Sequence, residues 1–116
     1  MSRTLLLSFL LAGCHTAVFT ECGDVVLTEV ASPDGRYVAT LFERDCGATT
    51  DYSTMVALRE GRDRFEPDAQ DVVVIVGGRS AIQLEWSSPT RLAIGLTEGE
   101  TFRKTESWNQ VEIDYR

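Results

Sequence analysis

From residue 22 onward, apolar positions recur in short runs with a period of two, broken by turn residues, and no stretch carries the 3.6-residue spacing of an amphipathic helix. This pattern predicts an all-β fold, a small antiparallel sheet or sandwich of about seven strands. Strands are expected over 25–30 and 37–43, on either side of Ser32-Pro33-Asp34-Gly35. In that turn proline presets φ, aspartate bonds its own turn backbone and glycine tolerates positive φ. Further strands are expected over 54–60, 72–76, 82–86, 91–96 and 111–115. The run Val72-Val73-Val74-Ile75-Val76 is apolar without interruption, which predicts burial on both faces. By contrast, 82–86 and 111–115 alternate strictly, so one face of each meets the core and the other meets water. Trp86 is expected in the core beside Ile82 and Leu84, and Trp108 either at the core edge or as an exposed anchor. The longest polar loops are 61–70 and 97–107.

The first residues break the pattern. Arg3 and the amino terminus precede about ten apolar or small residues, the layout of an export signal. As a helix, ten residues rise only about 15 Å, half of a hydrocarbon core roughly 30 Å thick, so a permanent span is not expected. Leu11-Ala12-Gly13-Cys14 closes the run and resembles the bacterial lipoprotein signal, in which the cysteine thiol is acylated and becomes the new N-terminus. The expected organisation is a signal peptide over 1–13, a lipid-anchored tether over 14–21 and one all-β domain over 22–116. The resemblance implies a place in the bacterial cell envelope. Lipoproteins kept in the inner membrane often carry aspartate after the cysteine, and His15 in that position favours the outer membrane.

Charge and cysteine count then narrow the partners. Loss of Arg3 with the signal leaves ten basic against eighteen acidic residues, a formal charge of −8 with no basic cluster. Nucleic acid is therefore not an expected partner, and the membrane is reached through the lipid. With Cys14 acylated, Cys22 and Cys46 remain as the only possible pair. Their disulfide would close a loop of about 25 residues and put the two α-carbons about 4.4 to 6.8 Å apart.

Few catalytic chemistries fit the rest. The single histidine, His15, lies on the tether, so a serine or cysteine triad has no imidazole inside the fold, and a zinc site lacks ligands. Glu43 and Asp45 would share one strand face and are the candidate pair for carboxylate-dependent hydrolysis, against an ion-paired surface with Arg44 and Arg36. Glu66, Asp68 and Asp71, or Glu98 and Glu100, do not match calcium-loop spacing. Gly77-Gly78-Arg79-Ser80 lacks phosphate-loop spacing and reads as a turn. No cofactor is expected. The polar run Gly47, Ala48, Thr49, Thr50, Asp51 and Tyr52, beside Cys46, is the candidate binding loop.

Two segments, Ser32 to Ala39 and Leu84 to Ile94, resemble blades of TolB-type β-propellers, although a propeller of at least four blades of about 40 residues exceeds this chain. Ser32 to Asp51, with its hairpin turn and Cys46-Gly47-Ala48-Thr49-Thr50, resembles a family of small, uncharacterised bacterial envelope lipoproteins. That resemblance implies fold and compartment and carries no activity. The expected function is a lipid-anchored, non-enzymatic envelope protein that binds or supports another envelope component. Alternatives are a phage-type lipoprotein blocking an outer-membrane receptor, and a carboxylate-dependent hydrolase.

Overall fold

The computed structural model describes residues 22–47, 52–97 and 99–116. Within them the protein is all-β, with nine strands in two sheets and no α-helix. One sheet has the order β1-β2-β3-β4-β7, formed by β1 (Gly23–Ala31), β2 (Tyr37–Asp45), β3 (Ser53–Glu60), β4 (Val72–Gly77) and β7 (Thr101–Lys104). The other has the order β5-β6-β9-β8, from β5 (Gln83–Ser88), β6 (Arg91–Gly95), β8 (Ser107–Trp108) and β9 (Val111–Tyr115). Leu11 to Cys14, Thr49, Thr50, Asp51 and Glu98 lie outside the described residues.

The inner face of the larger sheet packs on the smaller one. Tyr37, Ala39 and Leu41 of β2 meet Val56 and Leu58 of β3 and Val74 and Val76 of β4, and across the gap lie Ile82, Leu92, Ile94, Val111 and Ile113. Trp86 packs against this core from β5, with its indole N–H donating to the Val30 carbonyl of β1 at 2.9 Å. Trp108 sits at the core edge, its ring edge-on to Tyr37 at 5.8 Å between centroids. A second, smaller cluster lies on the outer face of the larger sheet, where Phe42, Met55, Ala57 and Val72 are capped by Phe65. Two clusters on opposite faces explain why the unbroken apolar run of β4 is buried on both sides.

Two features differ from the expectation. Strand β7 falls inside the segment read as a polar loop over 97–107 and β8 begins at its last residue, giving nine strands among the described residues rather than about seven. Their residues are too few and too polar for a periodic signal, and pairing with β4 and β9 defines them. The sheets are also not wholly antiparallel, because β6 and β9 run parallel. The chain leaves β6, crosses to the larger sheet as β7, and returns through β8, so β9 enters in the same direction as β6.

The first hairpin is built as its sequence dictates. Ser32 is buried; its hydroxyl donates to Asp34 Oδ1 at 2.8 Å and accepts the Tyr37 N–H at 3.1 Å. Gly35 has φ +74°, where other residues are strained. Gly61, after β3, approaches so closely that a Cβ would come within 2.4 Å of the Gly35 carbonyl oxygen, and its N–H donates to the Arg36 carbonyl at 2.7 Å.

Candidate functional site

The two ends of the larger sheet are chemically distinct. At one end Gly23 pairs with Asp45, and just beyond that row Cys22 and Cys46 form a disulfide. Their α-carbons are 4.0 Å apart, slightly closer than the expected range, at the end of an antiparallel ladder whose non-hydrogen-bonded pairs come to about 4.5 Å. Arg44 donates from Nε and Nη2 to both carboxylate oxygens of Asp24, at 2.8 and 2.9 Å. Of the candidate binding loop, Gly47 and Tyr52 are described. The Gly47 N–H donates to Asp45 Oδ1 at 3.1 Å, and the Tyr52 carbonyl accepts the Gly78 N–H at 2.7 Å. The Arg79 guanidinium lies 4.1 Å over the Tyr52 ring, with its Nε 3.7 Å from Glu43.

These contacts assign the candidate carboxylates. Glu43 faces Arg79 rather than Arg44 or Arg36, and Asp45 holds the Gly47 amide. Gly77-Gly78-Arg79-Ser80 is a turn fastened by buried Thr54, whose hydroxyl donates to the Gly78 carbonyl at 2.6 Å and accepts the Ser80 N–H at 3.0 Å. Among the described residues, no three histidine, cysteine or acidic side chains are grouped to hold a metal ion.

At the opposite end, where Tyr37 pairs with Glu60, the connection between β3 and β4 folds over the outer face of the sheet. It encloses an open groove of about 640 Å³ lined by Arg59, Phe65, Pro67, Asp71, Trp108 and Asn109 among others. The connection is pinned at several points. Phe65 packs edge-on against Phe42 at 5.1 Å, Arg103 Nη1 donates to the Val72 carbonyl at 3.0 Å, and the Trp108 indole N–H donates to Asp71 Oδ1 at 3.2 Å. A single 3-10 turn, Ala69–Asp71, closes it.

Arg59 is the hub of the groove. Its Nη1 donates to the Asp63 carbonyl at 2.6 Å and its Nη2 to Glu29 Oε2 at 3.0 Å, and the same carboxylate oxygen accepts the Thr40 hydroxyl at 3.0 Å. The Arg59 hydrogen bond, supported by that from Thr40, holds the Glu29 carboxyl below its ordinary pKa against the opposing effect of burial. Arg59 Nε is buried without a hydrogen-bond partner among the described residues. Acidic side chains dominate the rim, with Glu60, Asp63, Glu66, Asp68 and Asp71 against Arg59 and Arg64. The lining is mostly polar around Phe65 and Trp108, and although Arg62 pairs with Glu60 and Arg64 with Glu66, the acids outnumber the arginines, a fit for a basic segment or an amine-bearing group.

Gly47 and Tyr52, the described ends of the candidate binding loop, lie at the disulfide end of the sheet, apart from this groove. The one usable signal for the groove in the sequence was that 61–70 is the longest polar loop yet carries Phe65 near its middle, an apolar residue with no strand to explain it. No protein-family model matches the chain, and no curated protein or solved structure is similar enough to count as a match.

Proposed function

We propose that this chain is a lipid-anchored, non-enzymatic domain of the bacterial cell envelope that binds another envelope component through the groove over β2 and β3. The carrying observation is that the groove and the Cys22–Cys46 disulfide occupy opposite ends of one sheet. Along β3, eight residues at about 3.3 Å each separate the two ends by roughly 23 Å. A tether entering at Cys22 would leave the groove on the far side of the domain, open to a partner. The disulfide itself supports an oxidising compartment. The acidic rim supports a basic partner. The likeness of 32–51 to small envelope lipoproteins supports the same compartment.

The test is site-specific photocrosslinking in intact cells, with the crosslinker placed at Glu66 on the groove rim or at Gln83 on β5. The reading predicts one discrete adduct from position 66, absent from position 83 and lost when the rim acids Asp63 and Asp68 are changed to lysine (Asp63→Lys, Asp68→Lys) in an otherwise stable protein. Equal adducts from both positions would refute the groove as the site.

A further inference from the structure

We infer that the disulfide end of the larger sheet rests on the bilayer surface, with Phe102, Tyr52 and Val25 at the boundary between headgroups and acyl chains; this rests on the lipid-anchor reading of Cys14. The three side chains come from different elements and are spread along one end of the sheet, from edge strand β1 to edge strand β7. Val25 lies on β1 three residues past Cys22, Tyr52 precedes β3, and Phe102 stands at an irregularity in the pairing of β4 with β7. They are 59%, 39% and 63% exposed, and Val26 and Leu27 beside Val25 are exposed as well.

Phe102 is held in its place. Its ring packs over Gly77, where a Cβ would come 3.0 Å from Phe102 Cε2, so the glycine seats the ring along the sheet end while most of its surface stays outside. Tyr52 carries Arg79 over its face, an amphipathic pair suited to a headgroup region. Two acids at this end are matched by arginines, Asp24 by Arg44 and Glu43 by Arg79. The pairing offsets part of the repulsion that the chain without its signal, of formal charge −8, would exert on anionic lipid.

The tether decides between a bilayer and other occupants. Seven residues, His15 to Glu21, separate Cys14 from Cys22, so even a fully extended tether spans at most about 28 Å. It enters the domain at Cys22, and the disulfide fixes that entry to this end of the sheet. An acylated chain therefore holds the exposed apolar residues within reach of the membrane permanently, at an effective concentration no soluble partner matches. A second copy would bring the same net negative charge and gains nothing comparable.

The experiment uses the acylated full chain in vesicles of phosphatidylcholine carrying brominated acyl chains. Phe102→Trp and Tyr52→Trp report on the docked end, and Arg62→Trp on the opposite end, each read as the difference from the wild-type emission of Trp86 and Trp108. Docking predicts that the added emission at 102 and 52 is blue-shifted and loses most of its intensity to bromine, while that at 62 is unchanged. Emission at 102 and 52 as unquenched as at 62, in protein whose mass carries the acyl chains, overturns docking and leaves the anchor standing. A mass without acyl chains removes anchor and docking together. Tryptophans unquenched in vesicles but shielded from an aqueous quencher in native envelopes would assign this end to a protein partner and overturn the membrane contact.

Discussion

Ser32 shows how much of this fold turns on single polar groups. It is buried, and its hydroxyl serves both the Asp34 carboxylate and the Tyr37 amide. Ser32→Ala leaves that amide without its side-chain acceptor next to a core tyrosine and is expected to cost about 1–3 kcal/mol in chemical denaturation. Glu29 makes a different prediction. Its carboxyl titrates below its ordinary pKa in the folded chain, so its contribution is complete above the unfolded pKa and is lost as pH falls through the folded one. Because the pair with Arg59 is partly exposed, the loss stays within about 0.2–1 kcal/mol, and Glu29→Gln should flatten the acid limb of the stability curve by that amount. Tyr115 works at the alkaline side. Burial, reinforced by the charge of Glu106, pushes its phenol up to about 12, and its hydroxyl donates to the Thr105 carbonyl. The contribution of this phenol is whole below an unfolded pKa of about 10 and is lost as pH rises toward the folded value. Ultraviolet titration of Tyr115→Phe against wild type should show one late-ionising tyrosine missing.

At the scale of elements, β1 is the edge most dependent on covalent help. It is exposed along nearly its whole length and pairs only with β2. Replacing Cys22 and Cys46 by alanine together releases a closure of 24 residues and is expected to cost roughly 3 to 4 kcal/mol. Amide hydrogen exchange should place the largest loss of protection in β1, while β3 and β4 keep theirs. A uniform loss over all strands would mean that the edge and the core open together. The elements legible in the sequence are those with strong local signals. Alternation gave β5 and β9, the Pro-Asp-Gly turn gave the first hairpin, and the apolar run gave β4 with its two buried faces. Strands β7 and β8 carry no such signal, since Thr101-Phe102-Arg103-Lys104 is a short, mixed edge segment that becomes a strand only beside β4. The groove escaped for a related reason. Arg59 and Glu29 are 30 residues apart, and only the register of three strands brings them together.

The described residues form a two-sheet body with two unlike ends. One carries the disulfide and exposed apolar side chains, and the other a groove with an acidic rim. Among the described residues no helix is long and apolar enough to cross a membrane; the attachment proposed above is through Cys14. Anchoring with several acyl chains is durable, because each buried methylene contributes about 0.8 kcal/mol and a single chain is marginal. In the proposed arrangement, orientation would follow from where the tether joins the sheet, and partner access from the groove lying opposite. The most direct test of this central claim is the intact mass of the protein extracted from bacterial membranes. The account predicts a mature chain that begins at Cys14 and carries diacylglyceryl on its sulfur, with Cys14→Ser left uncleaved or displaced from the membrane. A mature chain with an unmodified Cys14 would contradict it.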